Sequence, residues 1–252
     1  MLTPRRSYEE ELLDAGIGTD KDVARNLLDL RRINRFLGGT RTVLKALEAS
    51  HLNGNRRDSG LGSVSQTNEV TLSNFSLLDV GTGSADIPMA IIAWCKGRGI
   101  EPSITALDMS ERNLRVARAS FRISREVTLL RANALELPFA ANSFDYVTAS
   151  QFLHHFSDED VVRLMKGFAE VARHTVIIHD LVRNIVPYYF MGSVGAVMMK
   201  SFLTRNDAPL SVLRGFTLEE LNDLARRAGF DRFEVRRYFP YRLSLVANVC
   251  DP

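Results

Sequence analysis

Short apolar runs bounded by glycine or polar clusters recur from residue 77 onward, at 77–80, 104–110, 126–134, 143–150 and 174–180. Between them the apolar positions return every three or four residues, as in 86–97, ERNLRVARASF and SDEDVVRLMKGFAEVAR. Runs of the first kind read as strands and those of the second as helices. Strands alternating with helices at this spacing predict a parallel sheet with both faces covered. After the fifth run comes FTLEELNDLARRAGF, where Thr217 and Glu220 stand at capping-box spacing and Gly229 stops the helix. The tail is two runs, DRFEVRRYF and YRLSLVANV, joined at Pro240-Tyr241, a join too short for anything but an antiparallel hairpin.

Three stretches lie outside this pattern. Residues 7–49 predict helices: SYEEELLD, acidic at its front, then KDVARNLLDLRRINRF stopped by Gly38-Gly39, then TRTVLKALEA. This N-terminal cap has two readings. It covers the sheet edge or the ligand by packing, or it brings Arg32 or Arg35 to a ligand carboxylate. Residues 50–74, rich in Ser, Gly and Asn, read as a flexible linker without chemistry. From Asn184 to Met199 no residue is charged, yet Pro187, Gly192 and Gly195 interrupt a run already short for a membrane span. Within an insertion at 184–215, so apolar a stretch predicts either more core or a mobile lid over an apolar ligand, its far side touching lipid.

The centre of the chain is FSLLDVGTGSADIPMAII, a strand running through a glycine loop into a helix. Glycines let the backbone approach a ligand, and the helix start offers N–H groups to it. The spacing Asp79-x-Gly81-x-Gly83-x-Ala85 resembles the first motif of class I S-adenosylmethionine-dependent methyltransferases. Ala85 stands where a third glycine is usual, which requires a negative φ there. LRANALELPFAANSFDYV resembles the family's G-D-A-x-x-L-P-F-x-D-x-S-F-D-x-V, with Ala132 and Asn133 for its Gly-Asp. SQFLHHFSDED carries the L-H-H motif frequent in ubiquinone/menaquinone-type and small-molecule O-methyltransferases. RINRFLGG and LSVLRGFTLEEL are similar to bacterial small-molecule methyltransferases of unassigned substrate.

The resemblance implies a Rossmann-like α/β fold, a mostly parallel seven-stranded sheet closed by the hairpin, with the methyltransferase domain at 75–252. It implies S-adenosylmethionine as cofactor, held by Asp79, Gly81, Thr82, Gly83, Asp108, Met109, Asn133, Ala134 and Ser150. Asp108, ending the second strand, is placed to accept both ribose hydroxyls, and the Asn133 amide oxygen to accept from the adenine amino group. His154 is the candidate base for an acceptor oxygen, and Asp180, ending the neighbouring strand, its orienter. The alternative for His154 is a structural ring under the lid. His179 falls on the opposite face from Asp180 and reads as core.

Composition narrows the field little: 45% hydrophobic, 25% charged and net +2 suit a globular protein without a nucleic-acid partner. Cys95 and Cys250 show no ligand spacing, no His/Cys/carboxylate cluster suggests a metal, and the polar, acidic start lacks a leader pattern, so a cytoplasmic setting is expected. The expected activity is methyl transfer to an oxygen of a small, lipophilic phenolic, quinol or polyketide-like acceptor. Three rivals stand beside it. They are a non-catalytic binding or assembly module, a nicotinamide oxidoreductase (disfavoured by Asp86 in the glycine loop) and a nucleic-acid methyltransferase (whose N/D-P-P-Y/F motif is replaced by SQFLHH).

Overall fold

A computed structural model describes residues 3–58, 75–120 and 125–249. In chain order the elements are α1 (Asp20–Phe36), α2 (Gly39–Asp58), β1 (Phe75–Val80), α3 (Asp86–Lys96), β2 (Pro102–Asp108), α4 (Glu111–Ser120) and β3 (Val127–Arg131). There follow β4 (Phe144–Ser150), a 3₁₀ turn (Leu153–His155), α5 (Asp158–Val171) and β5 (Ala172–Leu181). The lid region holds α6 (Ile185–Phe190), a π turn (Met191–Gly195), the short α7 (Ala196–Met198) and α8 (Phe202–Arg214), before α9 (Leu218–Arg227), β6 (Phe233–Tyr238) and β7 (Arg242–Asn248).

The seven strands form one sheet in the order β3-β2-β1-β4-β5-β7-β6. The first five pair in parallel, and β7 runs antiparallel to both β5 and β6. Because side chains alternate across a strand, the consecutive Leu77 and Leu78 enter opposite cores, both fully buried. Leu78, Val147 and Ile178 meet Leu164 and Phe168 of α5, while Leu77, Ile104 and Ile177 meet Leu47 of α2 and Ile91 of α3. Covering both faces is what makes the strands read as unbroken apolar runs. Ser157 caps α5 through the Asp160 N–H, and Thr217 and Glu220 complete the expected capping box on α9.

The N-terminal third departs from the sequence reading in two places. Residues 3–11 are not helical, and Leu12 to Gly16 only turn. A helix of eight residues is marginal alone, and here its N–H groups have distant acceptors. Leu12 and Leu13 donate to the two carboxylate oxygens of Asp207 at 2.9 and 3.1 Å, and Ser7 donates to the Leu213 carbonyl at 3.1 Å. Conversely, α2 continues to Asp58, so the first part of the expected linker is helix; positions 59–74 lie outside the described residues.

The lid insertion is clasped to α1. Buried Asp29 accepts from the Lys200 and Ser201 N–H groups at 2.7 and 2.8 Å, and Thr204 donates to Asn26 at 2.7 Å. Val23 and Leu27 bury against Leu203 beside these bonds. Met191 and Met199 are buried with Val212 in a small core of the insertion, whereas Tyr189, Val197 and Met198 are exposed. No helix among the described residues is long and apolar enough to cross a membrane.

Candidate active site

The loop after β1 carries three left-handed residues, Gly81, Gly83 and Ala85, at φ +70°, +53° and +59°. A Cβ at Gly81 would overlap the ring of Phe152, so only glycine fits there. A Cβ at Gly83 would meet only the Leu27 side chain, at 3.6 Å. The negative φ expected for Ala85 is not found. Its N–H closes a tight turn onto the Thr82 carbonyl at 2.8 Å, and that closure holds it left-handed at the α3 N-cap, at a cost of about 1–2 kcal/mol.

Under the loop, Asp79 accepts the Thr148 hydroxyl at 2.8 Å. Burial raises its carboxyl to about 7, against the hydrogen bond from Thr148. Asp108 ends β2 and accepts the Gly83 and Ser110 N–H groups, each at 2.8 Å, and the Asn113 amide at 3.3 Å. Burial raises its pKa, opposed by those same bonds. The Ser150 hydroxyl lies 3.0 Å from His179 Nδ1, and His179, driven down to about 3 by burial and by Arg242, is the core histidine its position in β5 predicted.

Asp79, Gly81, Thr82, Gly83, Ser150 and His154 thus line one cavity of about 110 Å³. Asp108, Met109, Asn133 and Ala134 lie outside it, at the ends of the neighbouring strands; Met109 is exposed, and Asn133 Oδ1 accepts the Leu135 N–H at 3.1 Å. Neither arginine proposed for a ligand carboxylate lines this cavity: Arg32 pairs with Asp29 at 3.1 Å, and Arg35 lies on a second cavity.

His154 sits in the 3₁₀ turn after β4, almost wholly buried, with Nδ1 2.6 Å from Asp180 Oδ1. Burial alone would raise Asp180, but its contact with His154 and the hydrogen bond from the Leu181 N–H outweigh it and hold the carboxyl at about 2. An ionised Asp180 makes Nδ1 the protonated nitrogen, leaving Nε2 facing Glu11 Oε1 at 3.7 Å. His155 meets Asp14 at 2.6 Å; burial would lower it, yet Asp14 and Glu11 lift it to about 9.

Sequence reasoning missed several members. Glu11, Asn34, Asp86, Gln151 and Asp207 all line the small cavity. Asn34 donates to Asp86 at 3.1 Å and accepts from Gln151, which is itself left-handed at φ 50°. Asn34, in RINRFLGG, and Asp86 and Gln151 lay inside quoted motifs and could have been found there; Glu11 had no local signal. No metal cluster was expected, yet Glu11, His154 and His155 bring ligand atoms within 4.8 Å of one another. Because each Nδ1 is already held by a carboxylate and His155 keeps its proton at neutral pH, the trio is an ion-pair cluster as it stands.

The second cavity, about 810 Å³, opens between α1, α2, the lid and the β6–β7 turn, and shares Leu30, Gln151, Ala208 and Ser211 with the first. The small cavity, lined by the carboxylates of Glu11, Asp79, Asp86 and Asp207, suits a ligand with cationic groups, and Asp108 beyond Gly83 suits a diol.

The family described as "Methyltransferase domain" matches residues 77–175. The chain is similar to the demethylmenaquinone methyltransferase of Geobacillus stearothermophilus, 31% identical over 182 residues, covering 68% of this chain and 75% of that one. To the Staphylococcus haemolyticus enzyme of the same name it is 27% identical over 171 residues, 64% and 70% of the two chains. Human N-acetylserotonin methyltransferase, solved with S-adenosylmethionine, shares the fold at TM-score 0.60 and 14% identity over 97% of this chain and 62% of its own. A Methanosarcina mazei methyltransferase does so at 0.51 and 17%, covering 75% and 98%. With the glycine loop, the strand order and these relatives together, the chain belongs to the class I S-adenosylmethionine-dependent methyltransferases.

Proposed function

We propose that the protein methylates an oxygen of a small, largely apolar acceptor seated in the larger cavity. The observation that carries this reading is the junction of the two cavities at Gln151, one polar and acidic beneath the glycine loop, the other roomy and walled by the apolar lid. In this reading Gly81, Thr82, Gly83 and Ser150 cradle the cofactor with Asp79 beneath. Asp108 receives its ribose hydroxyls, and Met109, Asn133 and Ala134 border its base. S-adenosylmethionine supplies an electrophilic sulfonium methyl, so the chain's main task is alignment. Orientation of that kind is worth about 7–11 kcal/mol, against roughly 10²–10⁴-fold from one general base.

His154 is the proposed base. Asp180 holds its Nδ1–H, which fixes the ring and leaves Nε2 to take the acceptor proton. The relatives named for demethylmenaquinone support a quinol-like or otherwise lipophilic acceptor. Exposed Phe36, Phe190 and Phe239 at the cavity, with Val197 and Met198 on the lid, support peripheral contact with lipid. An activity screen with phenols and quinols of increasing tail length, read by product mass and by the atom methylated, tests the proposal. Methylation on carbon or nitrogen would remove the oxygen assignment. Efficient use of short polar acceptors, with no flotation on liposomes, would remove the lipophilic one.

A further inference from the structure

The larger cavity carries charge of one sign only. Arg35, Arg41, Lys45 and Arg242 line it, and no aspartate or glutamate does. Among the described residues none of these four is ion-paired with a carboxylate. Three of them sit on α1 and α2. Arg242 is different: it begins β7, is 2% exposed and lies where the cavities join, with Nη1 3.3 Å from Gln151 Oε1 and Nε 3.4 Å from the Leu37 carbonyl.

Those two long bonds occupy Nε and Nη1, two of the five N–H donors of a guanidinium that lines the cavity. The carboxylate whose charge reaches Arg242 is Asp180, and its oxygens are committed to His154 and to the Leu181 N–H. Burial pushes Arg242 down to about 10, which leaves it charged at neutral pH. A buried cation with no carboxylate in hydrogen-bond contact is a standing cost to the fold. A ligand anion in the cavity would relieve it, and a planar guanidinium matches a carboxylate in shape as well as charge.

We propose that the acceptor is an acid: an apolar body bearing a carboxylate, distinct from the oxygen methylated, which docks on Arg242 while Arg35, Arg41 and Lys45 draw it into the mouth. The proposal rests on the reading that the larger cavity holds the methyl acceptor. It narrows that reading from apolar molecules in general to anionic amphiphiles, and it makes Arg242 a specificity-determining residue.

The test compares two probes of one shape, 6-hydroxy-2-naphthoate and 6-hydroxy-2-naphthamide, by calorimetry on the full chain. The acid should bind at least about tenfold more tightly than the amide, the size of a charge-assisted contact. That preference should survive high salt, because a buried pair is little screened. Arg242→Met should abolish it by bringing the acid's affinity down to the amide's, and exposed Arg41→Gln should slow the acid's association while keeping the preference. Equal affinities in the unmodified protein, or a preference that persists in folded Arg242→Met, would overturn the proposal. Should Arg242→Met not fold, the unmodified protein decides through the acid-to-amide ratio at low and high salt: a ratio near one, or one lost in salt, overturns it. Release of S-adenosylhomocysteine with neutral and acidic acceptors is followed in parallel. Turnover of neutral acceptors without acid preference sinks this inference alone, whereas acid-selective binding with no methyl transfer to any acceptor sinks the proposed function alone.

Discussion

Single residues set the sharpest expectations. Asp108 accepts hydrogen bonds from three groups of the protein and keeps its carboxylate at the strand end. A charge-assisted hydrogen bond is worth roughly 1.5–3 kcal/mol, so Asp108→Ala should weaken S-adenosylmethionine binding by about one to two powers of ten in calorimetry. Unchanged affinity in a folded variant would take Asp108 out of the site. His154→Ala should lower kcat by about 10²–10⁴-fold with cofactor affinity near normal. A rise in KM alone would demote the ring to a wall of the cavity. Ala85 offers a test in the opposite direction. Glycine removes the penalty of its left-handed backbone but adds chain entropy to the unfolded state, so Ala85→Gly should gain up to about 1 kcal/mol. That corresponds to a rise of about 2–4 °C in Tm by calorimetric scan.

At the scale of elements, the lid and the N-terminal segment are held by a few buried polar contacts. Asp29→Ala removes the acceptor of two backbone N–H groups, at Lys200 and Ser201. The loss should be roughly 1.5–3 kcal/mol, visible as a lower Tm and as faster hydrogen exchange confined to the lid. The N-terminal segment is fastened to the turn after β4 through His155, Asp14 and Glu11. With His155 raised to about 9 from an ordinary value of 6.5, its protonated form is favoured by folding. The stabilisation is therefore full below pH 6.5 and fades as pH rises through about 9. Exchange of the amides at residues 7–14 should speed up across that window, and Asp14→Asn should shift its onset to lower pH. An exchange rate following only the intrinsic pH dependence would show that the clasp carries no weight.

For the whole molecule, the alternation of apolar runs and helical spacing determined the sheet, its two covered faces and the closing hairpin. A period of two or 3.6 is written in neighbouring residues, and short connections leave few topologies. The glycine loop, Asp108 at the end of β2 and the His154–Asp180 pair were legible for the same reason: in a parallel sheet, functional side chains gather at the carboxyl ends of adjacent strands. Tertiary structure decided what depends on partners far apart in sequence. Ser7 to Asp14 has a helical composition but gave its N–H groups to α8, and Ala85 took a backbone angle that only the closed loop imposes. Glu11 and Arg242 entered the two cavities from segments more than a hundred residues from one or more of their partners, where no local pattern announces them. Secondary structure follows from local covalent rules, whereas burial of a charge beside a cavity follows only from the complete packing of the chain.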